Sequence, residues 1–354
     1  MSQPAAAPAA PRVVARDLER KDHDEWRAVV SGSPQGSVYA LPEYLEALCR
    51  ATGATYRIVG AYFDGRLVGG VPLYERRSRS GTYVTNRLLL YYNGIVLNLP
   101  PKKFHSDQTA QEQQVLTALA SELEGRRYAH VLLHNRSTVL DVRPFLARGW
   151  QESLSYTYVL PLANPTEQWE RIDPNLRRLI LRCEREGVTY REDNDFDALF
   201  HLHLKTHQRK GAPLYLPETA FRAFFTEASA AGLARLGHAV FDGKVIASQL
   251  MLAGPHPVAH TVCAGADDDY LRMGASGFLR WHASLALARD GFIANDLTDA
   301  GLNPVTRFKS QFGAELTPTW SVSRTDSRLF QLEAAVQRWR GDASRRRSTP
   351  REES

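Results

Sequence analysis

The residues best suited to chemistry stand in two neighbouring segments near the end of the 354-residue chain. Residues 295–301 read NDLTDAG, and residues 308–313 read FKSQFG. A polar, turn-forming end on an apolar strand is where open sheets place ligands. Lys309 stands between two aromatic residues that would fix its position. A lysine placed there could hold a phosphate or stabilise a developing oxyanion.

A small-residue loop offers a seat for a phosphate. Gly274, Ser276 and Gly277 lead straight into a helix predicted over Phe278–Arg289. Backbone N–H groups at a helix N-terminus attract anions because they lack partners within the helix. The alternative interpretation is a flexible loop in which the serine caps the helix.

Arginines supply a second set of candidates for phosphate binding. A helix is predicted over Pro174–Glu186, with Asp173 as its N-cap and Gly187 as its stop. Arg177 and Arg178 on this helix could clamp a phosphate, because a planar guanidinium makes paired hydrogen bonds. A solvated helix face is the alternative.

The histidines of the second half resemble a metal site only at first sight. His203 and His207 are one turn apart on a predicted helix, but Leu204 and Lys205 occupy the places where a zinc protease has its glutamate. No metal site is predicted. Arg209 follows in a basic turn that could line a polyanion site or simply end the helix.

Several classes of protein are disfavoured. The sequence has no G-x-S-x-G elbow and no obvious carboxylate pair, which argues against hydrolases. No run approaches the roughly 18 apolar residues of a membrane helix, so no membrane span is expected. The three cysteines are far apart, which favours a reducing cytoplasm. The net charge of +5 suits phosphate-bearing partners or plain solubility, and no DNA partner is expected.

The chain carries an internal repeat. Residues 61–73 read AYFDGRLVGGVPL and residues 239–251 read AVFDGKVIASQLM, so Asp64-Gly65 matches Asp242-Gly243. Asp-Gly supplies the positive backbone angles of a tight hairpin. A helix, an apolar strand and a closing strand are predicted after each hairpin: Gln111–Leu123, Tyr128–His134 and Tyr156–Leu160, then Phe278–Arg289, Phe292–Leu297 and Thr319–Ser323.

This succession predicts an α/β fold with mixed sheets, duplicated along the chain. The predicted organisation is a disordered leader at 1–12, a first domain at 13–163, a second domain at 164–330 and a disordered basic tail at 341–354. Chance recurrence of hairpins and helix–strand pairs is the alternative to duplication.

The chain resembles the FemAB-like branch of the GNAT acyltransferase superfamily, which includes peptidoglycan-bridge aminoacyltransferases. The resemblance spans about residues 20–325 and depends on several short motifs. They are Val38-Tyr39-x-x-Pro42-x-Tyr44-Leu45, Phe63-Asp64-Gly65 with Pro72-Leu73, Arg177-Arg178-x-Ile180, His207-x-Arg209-x-Gly211, Asp242-Gly243, Asp296-Leu297 and Phe308-Lys309-x-x-Phe312-Gly313. It implies two tandem GNAT-like domains, with Lys309 matching the lysine associated with acyl transfer or donor binding.

The resemblance leaves the acyl donor open. Coenzyme A-using members carry Arg or Gln three residues before the first glycine of their pyrophosphate loop, where this chain has Leu271 before Gly274. The absence of an Arg or Gln at this position slightly favours aminoacyl-tRNA over acyl-CoA as the donor. Either would act as a co-substrate, and no permanently bound cofactor is expected.

The function predicted from these features is transfer of an acyl or aminoacyl group to a primary amine by direct attack. Asp296 is the candidate general base, because it ends the strand near Lys309. Tyr92 and Asn93 are candidates for binding the acceptor from the first half. The competing interpretation is a catalytically inactive pair of GNAT domains that binds a nucleotide, tRNA or envelope precursor. The oligomeric state is not predicted.

Overall fold

The structure, a computed structural model, describes residues 13–302, 304–333 and 335–336. The predicted leader at 1–12 and tail at 341–354 lie outside the described residues. The strands are β1 (Val13–Asp17), β2 (Thr55–Phe63), β3 (Arg66–Ser78), β4 (Gly81–Val84), β5 (Val96–Leu97), β6 (His130–His134), β7 (Gln151–Pro161), β8 (Thr189–Asp193), β9 (Ala234–Phe241), β10 (Lys244–Leu252), β11 (Val258–Ala266), β12 (Ala294–Asp296) and β13 (Glu315–Thr325). The helices are α1 (His23–Gly32), α2 (Pro42–Thr52), α3 (His105–Gly125), α4 (Arg143–Leu146), α5 (Pro165–Arg171), α6 (Pro174–Arg185), α7 (Phe196–Lys210), α8 (Glu218–Ala230), α9 (Ala275–Arg289) and α10 (Pro304–Ser310).

The strands form one mixed sheet in which each half of the chain repeats the same local order. The sheet runs β1-β2-β3-β4-β6-β13-β7-β12-β11-β10-β9-β8, and β5 pairs with β3 outside this path. Among the described strand pairs, β4–β6 and β11–β12 are parallel and the others are antiparallel. The predicted α/β class with mixed sheets agrees with this arrangement.

The two Asp-Gly pairs occupy equivalent hairpin turns, one between β2 and β3 and one between β9 and β10. Asp64 and Gly65 have φ of 50° and 80°, and Asp242 and Gly243 have φ of 48° and 76°. Positive φ at both central residues is the geometry that Asp-Gly favours in a two-residue hairpin. The repeat predicted from the sequence is therefore present in the backbone.

The closing strands of the two halves are exchanged. β7, from the first half, lies between β12 and β13, while β13, from the second half, pairs with β6. Each half thus supplies a strand to the sheet of the other. The predicted boundary between residues 163 and 164 stays a prediction, since both halves contribute to the centre of the sheet.

Helix α6 was predicted from an N-cap residue and a C-terminal glycine, and the structure has both. The Asp173 side chain accepts a hydrogen bond from the backbone of Asn175 at 2.8 Å, and Gly187 follows the helix with φ of 88°. These are the roles of an N-cap and of a C-terminal glycine. The helix ends at Arg185, one residue before the predicted end.

The halves also share a hydrophobic core. One buried cluster combines α1, α2 and the first hairpin with α7, α8 and β11. Within it the rings of Tyr44 on α2 and Phe224 on α8, both fully buried, meet edge to face with centroids 5.5 Å apart. This packing holds the first half against the helices that border the candidate site.

Candidate functional site

The sheet opens between β11 and β12. These parallel strands pair only from Val258 to His260 and from Ala294 to Asp296. Beyond this point β11 continues to Ala266, whereas the chain after β12 bends toward β7, where the Leu297 N–H donates to the Tyr158 carbonyl at 2.8 Å. The divergence leaves a gap in the sheet at the carboxyl ends of both strands.

A cavity of about 480 Å³ fills this gap and is called here the Lys309 cavity. Its lining comes from β11, the segment after β12, α7, the loop between α7 and α8, α9, α10 and one residue of the first half. The residues are Tyr91, Thr206, His207, Lys210, Tyr215, Thr261, Val262, Cys263, Ala264, Arg280, Leu297, Thr298, Asp299, Thr306 and Lys309.

A second cavity of about 360 Å³, called here the Ser276 cavity, adjoins the first. Both are lined by Thr206, Lys210, Ala264 and Arg280. The Ser276 cavity extends along the rest of β11 to the first turn of α9. Together the two form a groove that runs from the N-terminus of α9 to Lys309, with room for an extended ligand.

The turn at the end of β12 has an unusual backbone. Thr298 and Asp299 have φ of 49° and 53°. Two consecutive non-glycine residues in this region are strained, and such strain persists only where neighbours hold it. Here the Thr298 N–H donates to the Asp296 carboxylate at 2.8 Å, and the Thr298 hydroxyl donates to the Thr261 carbonyl at 3.2 Å.

Lys309 completes the support of this turn from inside the cavity. Its ammonium donates to the carbonyl oxygens of Thr298 and Asp299, the latter at 2.6 Å, and the residue is 7% exposed. Burial, together with the charge of Arg280, lowers the pKa of Lys309 to about 8. An ammonium has three donors, so one remains for a ligand. This geometry keeps the head of the lysine out of bulk water.

Asp296 lies behind the turn, at 2% exposure, and lines neither cavity. Its carboxylate accepts from the Tyr92 hydroxyl at 2.8 Å, the Thr157 hydroxyl at 2.5 Å and the Thr298 N–H. Burial and the nearby Asp296 raise the pKa of Tyr92 well above its ordinary value, so the phenol stays a donor. The structure thus brings Tyr92 and Asp296 together as a support for the turn.

Asn93 lies apart from the cavities. Its amide donates to the Leu132 carbonyl at 2.8 Å and accepts from the His134 N–H at 2.9 Å. Tyr91, two positions before Asn93, is the first-half residue that lines the Lys309 cavity. The predicted pair Tyr92 and Asn93 directly follows this residue, and which of the neighbours faces the cavity depends on the local direction of each side chain.

The predicted phosphate-binding residues divide into two groups. Ser276 and Arg209 line the Ser276 cavity, and Arg209 forms an ion pair with Asp268. Gly274 and Gly277 instead allow α9 to approach α6, since a Cβ on either would lie 2.7 Å from a leucine side chain of that helix.

Arg177 and Arg178 line neither cavity. Arg178 is exposed and bonds the Asn175 side chain within its own helix. The two arginines thus do not line the groove, and their predicted role in donor binding stays a prediction.

Two cavity residues were missed by the sequence reasoning as functional candidates. Arg280 carries no motif, because it is one charged residue in the middle of a helix. His207 was considered as a metal ligand and as part of a family motif, but it was given no role in the reaction. Its Nδ1 lies 2.8 Å from the Pro213 carbonyl and must therefore carry the proton, which leaves Nε2 as an acceptor.

The neighbouring His203 is paired with a thiol. Its Nδ1 lies 3.1 Å from Sγ of Cys263, and both residues are buried. Burial lowers the pKa of His203 to about 3 and raises that of Cys263 to about 12, so both are neutral. Among the described residues no group of three or more His, Cys, Asp or Glu is placed to hold a metal ion.

Comparison with known proteins agrees with this geometry. Residues 172–310 match the family model of the acetyltransferase (GNAT) domain. A search of curated proteins found no match in sequence. The crystal structure of FemX superposes with a TM-score of 0.68 at 12% identity, covering 86% of this chain and 96% of FemX.

Two further solved structures share the fold. A tandem GNAT protein from the clavulanic acid biosynthesis pathway has a TM-score of 0.53 at 13% identity, over 89% of this chain and 98% of that one. The structure of L-PGS from Bacillus licheniformis has a TM-score of 0.53 at 13% identity, over 84% and 96%.

The chain therefore has the tandem GNAT fold, and its second half contains a GNAT acetyltransferase domain. The predicted resemblance to the GNAT superfamily is confirmed over residues 172–310, and the whole chain shares its fold with FemX and with a tandem GNAT protein. Acyl transfer in general is supported by the same findings. In the described part of the chain no helix is long and apolar enough to cross a membrane.

Proposed function

We propose that this protein transfers an acyl or aminoacyl group from an activated donor, acyl-CoA or aminoacyl-tRNA, to a primary amine. The observation that carries the proposal is the divergence of β11 from β12, with Lys309 lining the resulting cavity and its ammonium held there by two backbone carbonyls. An activated acyl group laid along β11 would bring its carbonyl to this ammonium. Stabilisation of the oxyanion there would favour direct attack by the amine.

His207 is the proposed acceptor of the amine proton. It lines the same cavity as Lys309, and its Nε2 is unprotonated because Nδ1 donates to the Pro213 carbonyl. Asp296, the base predicted from the sequence, is engaged by three donors and lines neither cavity. In this proposal it orients the turn at Thr298 instead.

The first half contributes to the acceptor side. Tyr91 lines the Lys309 cavity, and Arg87 donates to the carbonyl of Tyr215 at 3.2 Å, which ties the first half to a second cavity residue. The cavity would thus be complete only when both halves are present. This supports a cleft between the halves as the route for the amine.

Two parallel assays test the function and distinguish the donors. Release of free thiol from acetyl-CoA, and deacylation of charged tRNA, are each measured with and without a panel of primary amines. Amine-dependent release in either assay is the expected result, with a loss of about 100-fold in Lys309→Met. Arg307→Met is the matched control, because Arg307 is an exposed cation on the same helix.

His207→Gln tests the base. It is expected to lower turnover by about 100-fold. If a donor binds but no amine in the panel supports turnover, the result would favour the catalytically inactive binding module over the acyltransferase. Amine-dependent turnover that is unaffected by both cavity variants would place the reaction elsewhere.

A further inference from the structure

Three cationic side chains meet where the two cavities join. Lys210 and Arg280 line both cavities, and Lys309 lines the Lys309 cavity. Among the described lining residues the one carboxylate is that of Asp299. The junction therefore carries an excess of positive charge that the surrounding protein does not balance.

Arg280 is the least satisfied of the three. Its side chain is half-buried, and its Nη1 atom is shielded from solvent without a hydrogen-bond partner among the described residues. The guanidinium lies over the Phe308 ring, 5.6 Å from its centroid, which holds it toward the groove. A shielded guanidinium without an anion is costly, and such groups are normally paired.

The three charges also act on one another. Burial lowers the pKa of both Lys210 and Lys309, and the charge of Arg280 lowers each of them further. All three side chains line the Lys309 cavity, so a single anion bound there could interact with more than one of them. An anion at the junction would relieve the repulsion and supply the missing partner of Nη1.

We propose that this junction is a binding site for an anionic group, a phosphate or a carboxylate, carried by one of the two substrates. Arg280 is its main partner, since a guanidinium binds either anion through paired hydrogen bonds, and Lys210 is its second. The site lies between Ser276 and Lys309 along the groove. An anion bound at this site would hold a negatively charged group of the substrate next to the reacting carbonyl. The proposal rests on the acyl transfer proposed above and adds a feature of its substrates.

The test of the site requires no turnover. Wild type and Arg280→Met are titrated calorimetrically with sodium phosphate and with sodium succinate in chloride buffer. Binding at least tenfold weaker in Arg280→Met is expected for one or both anions. Arg289→Met, a variant of an exposed arginine on the same helix, should bind as the wild type does. Equal binding by all three proteins would overturn the proposal.

A melting experiment guards against a misfolded variant. In chloride buffer without phosphate or carboxylate, Arg280→Met is expected to melt a few degrees above the wild type, because the uncompensated charge has been removed. Adding phosphate should raise the melting temperature of the wild type and leave that of the variant unchanged. A variant that melts lower and still responds to phosphate would contradict the assignment.

Three further arms locate the anion on the substrate. Weaker binding of coenzyme A by Arg280→Met would place it on the carrier phosphates. Loss of a preference for succinyl-CoA over acetyl-CoA would place it on the acyl group. If neither changes while phosphate binding is lost, the anion belongs to a substrate other than acyl-CoA, which is the amine acceptor or the tRNA. Failure of acyl transfer with intact, Arg280-dependent anion binding would refute the proposed function and leave this site standing.

Discussion

The buried ammonium of Lys309 makes stability depend on pH in a way that Lys309→Met should abolish. The folded chain holds the lysine at a pKa of about 8, against 10.5 for a free lysine. The difference corresponds to roughly 3 kcal/mol of unfavourable burial at neutral pH. The residue is only 7% exposed, so solvent screening removes little of this.

The sign follows from which state holds the proton more tightly. Between about pH 8 and 10.5 the unfolded chain keeps the proton that the folded chain has lost, so the free energy of unfolding rises with pH. From pH 7 to pH 10 the wild type should gain about 2–3 kcal/mol relative to Lys309→Met. The difference between the unfolding free energies of the wild type and Lys309→Met cancels the contributions of the tyrosines and other lysines that titrate in the same range.

Urea unfolding at pH 7, 8.5 and 10, followed by tryptophan fluorescence, measures this difference. Arg307→Met serves again as the control and should track the wild type at every pH. Parallel stability curves for wild type and Lys309→Met would refute the reasoning, because they would mean that the lysine head is solvated in the folded chain.

The same titration separates two chemical roles of Lys309. If the ammonium stabilises the oxyanion or binds phosphate, activity falls as pH rises through about 8. Lys309→Arg stays protonated, so its alkaline limb should move well beyond pH 10 even where its turnover is lower. Activity that rises through pH 8 in the wild type, and is lost in Lys309→Arg, would indicate instead that the neutral amine acts as a base.

Three substitutions test the supports of the site through the free energy of unfolding. Tyr92→Phe leaves the buried Asp296 carboxylate one donor short and should cost about 1–3 kcal/mol in urea unfolding; a change below about 0.5 kcal/mol would deny the bond its role. Gly274→Ala, at φ of 102° and with its Cβ crowded against α6, should cost about 2–4 kcal/mol, well above Gly187→Ala, where the space is open. Asp173→Ala removes the cap of α6 and should lower the melting temperature in line with about 1 kcal/mol; an unchanged midpoint would contradict the capping role.

Local chemistry made several elements predictable. Asp-Gly at two places specifies the positive φ of two hairpin turns, and Asp173 and Gly187 delimit a helix by supplying a side-chain oxygen and a left-handed backbone. These effects depend on residues within a few positions of one another. The sequence also indicated both segments of the site, because a polar end on an apolar strand and a lysine between aromatics are local patterns.

Burial directions were not predictable in the same way. Tyr91 faces the cavity while Asn93 bonds the backbone of β6, and Arg280 reaches the groove while Arg178 stays on the outside of α6. Nothing in the residue type distinguishes one arginine from the other. What differs is the surface against which each helix packs, and α9 approaches α6 closely because of glycines such as Gly277.

The sequence by itself determined the duplicated pattern of elements, the turns, the helix ends and the position of Lys309 along the chain. Only the tertiary structure decided that β7 and β13 exchange places, that Asp296 supports a turn and lines no cavity, and that three cations meet at one junction. The physical reason is the range of the forces involved. Turn and capping preferences act between neighbours in sequence, whereas strand pairing, burial and unbalanced charge depend on residues brought together from both halves of the chain.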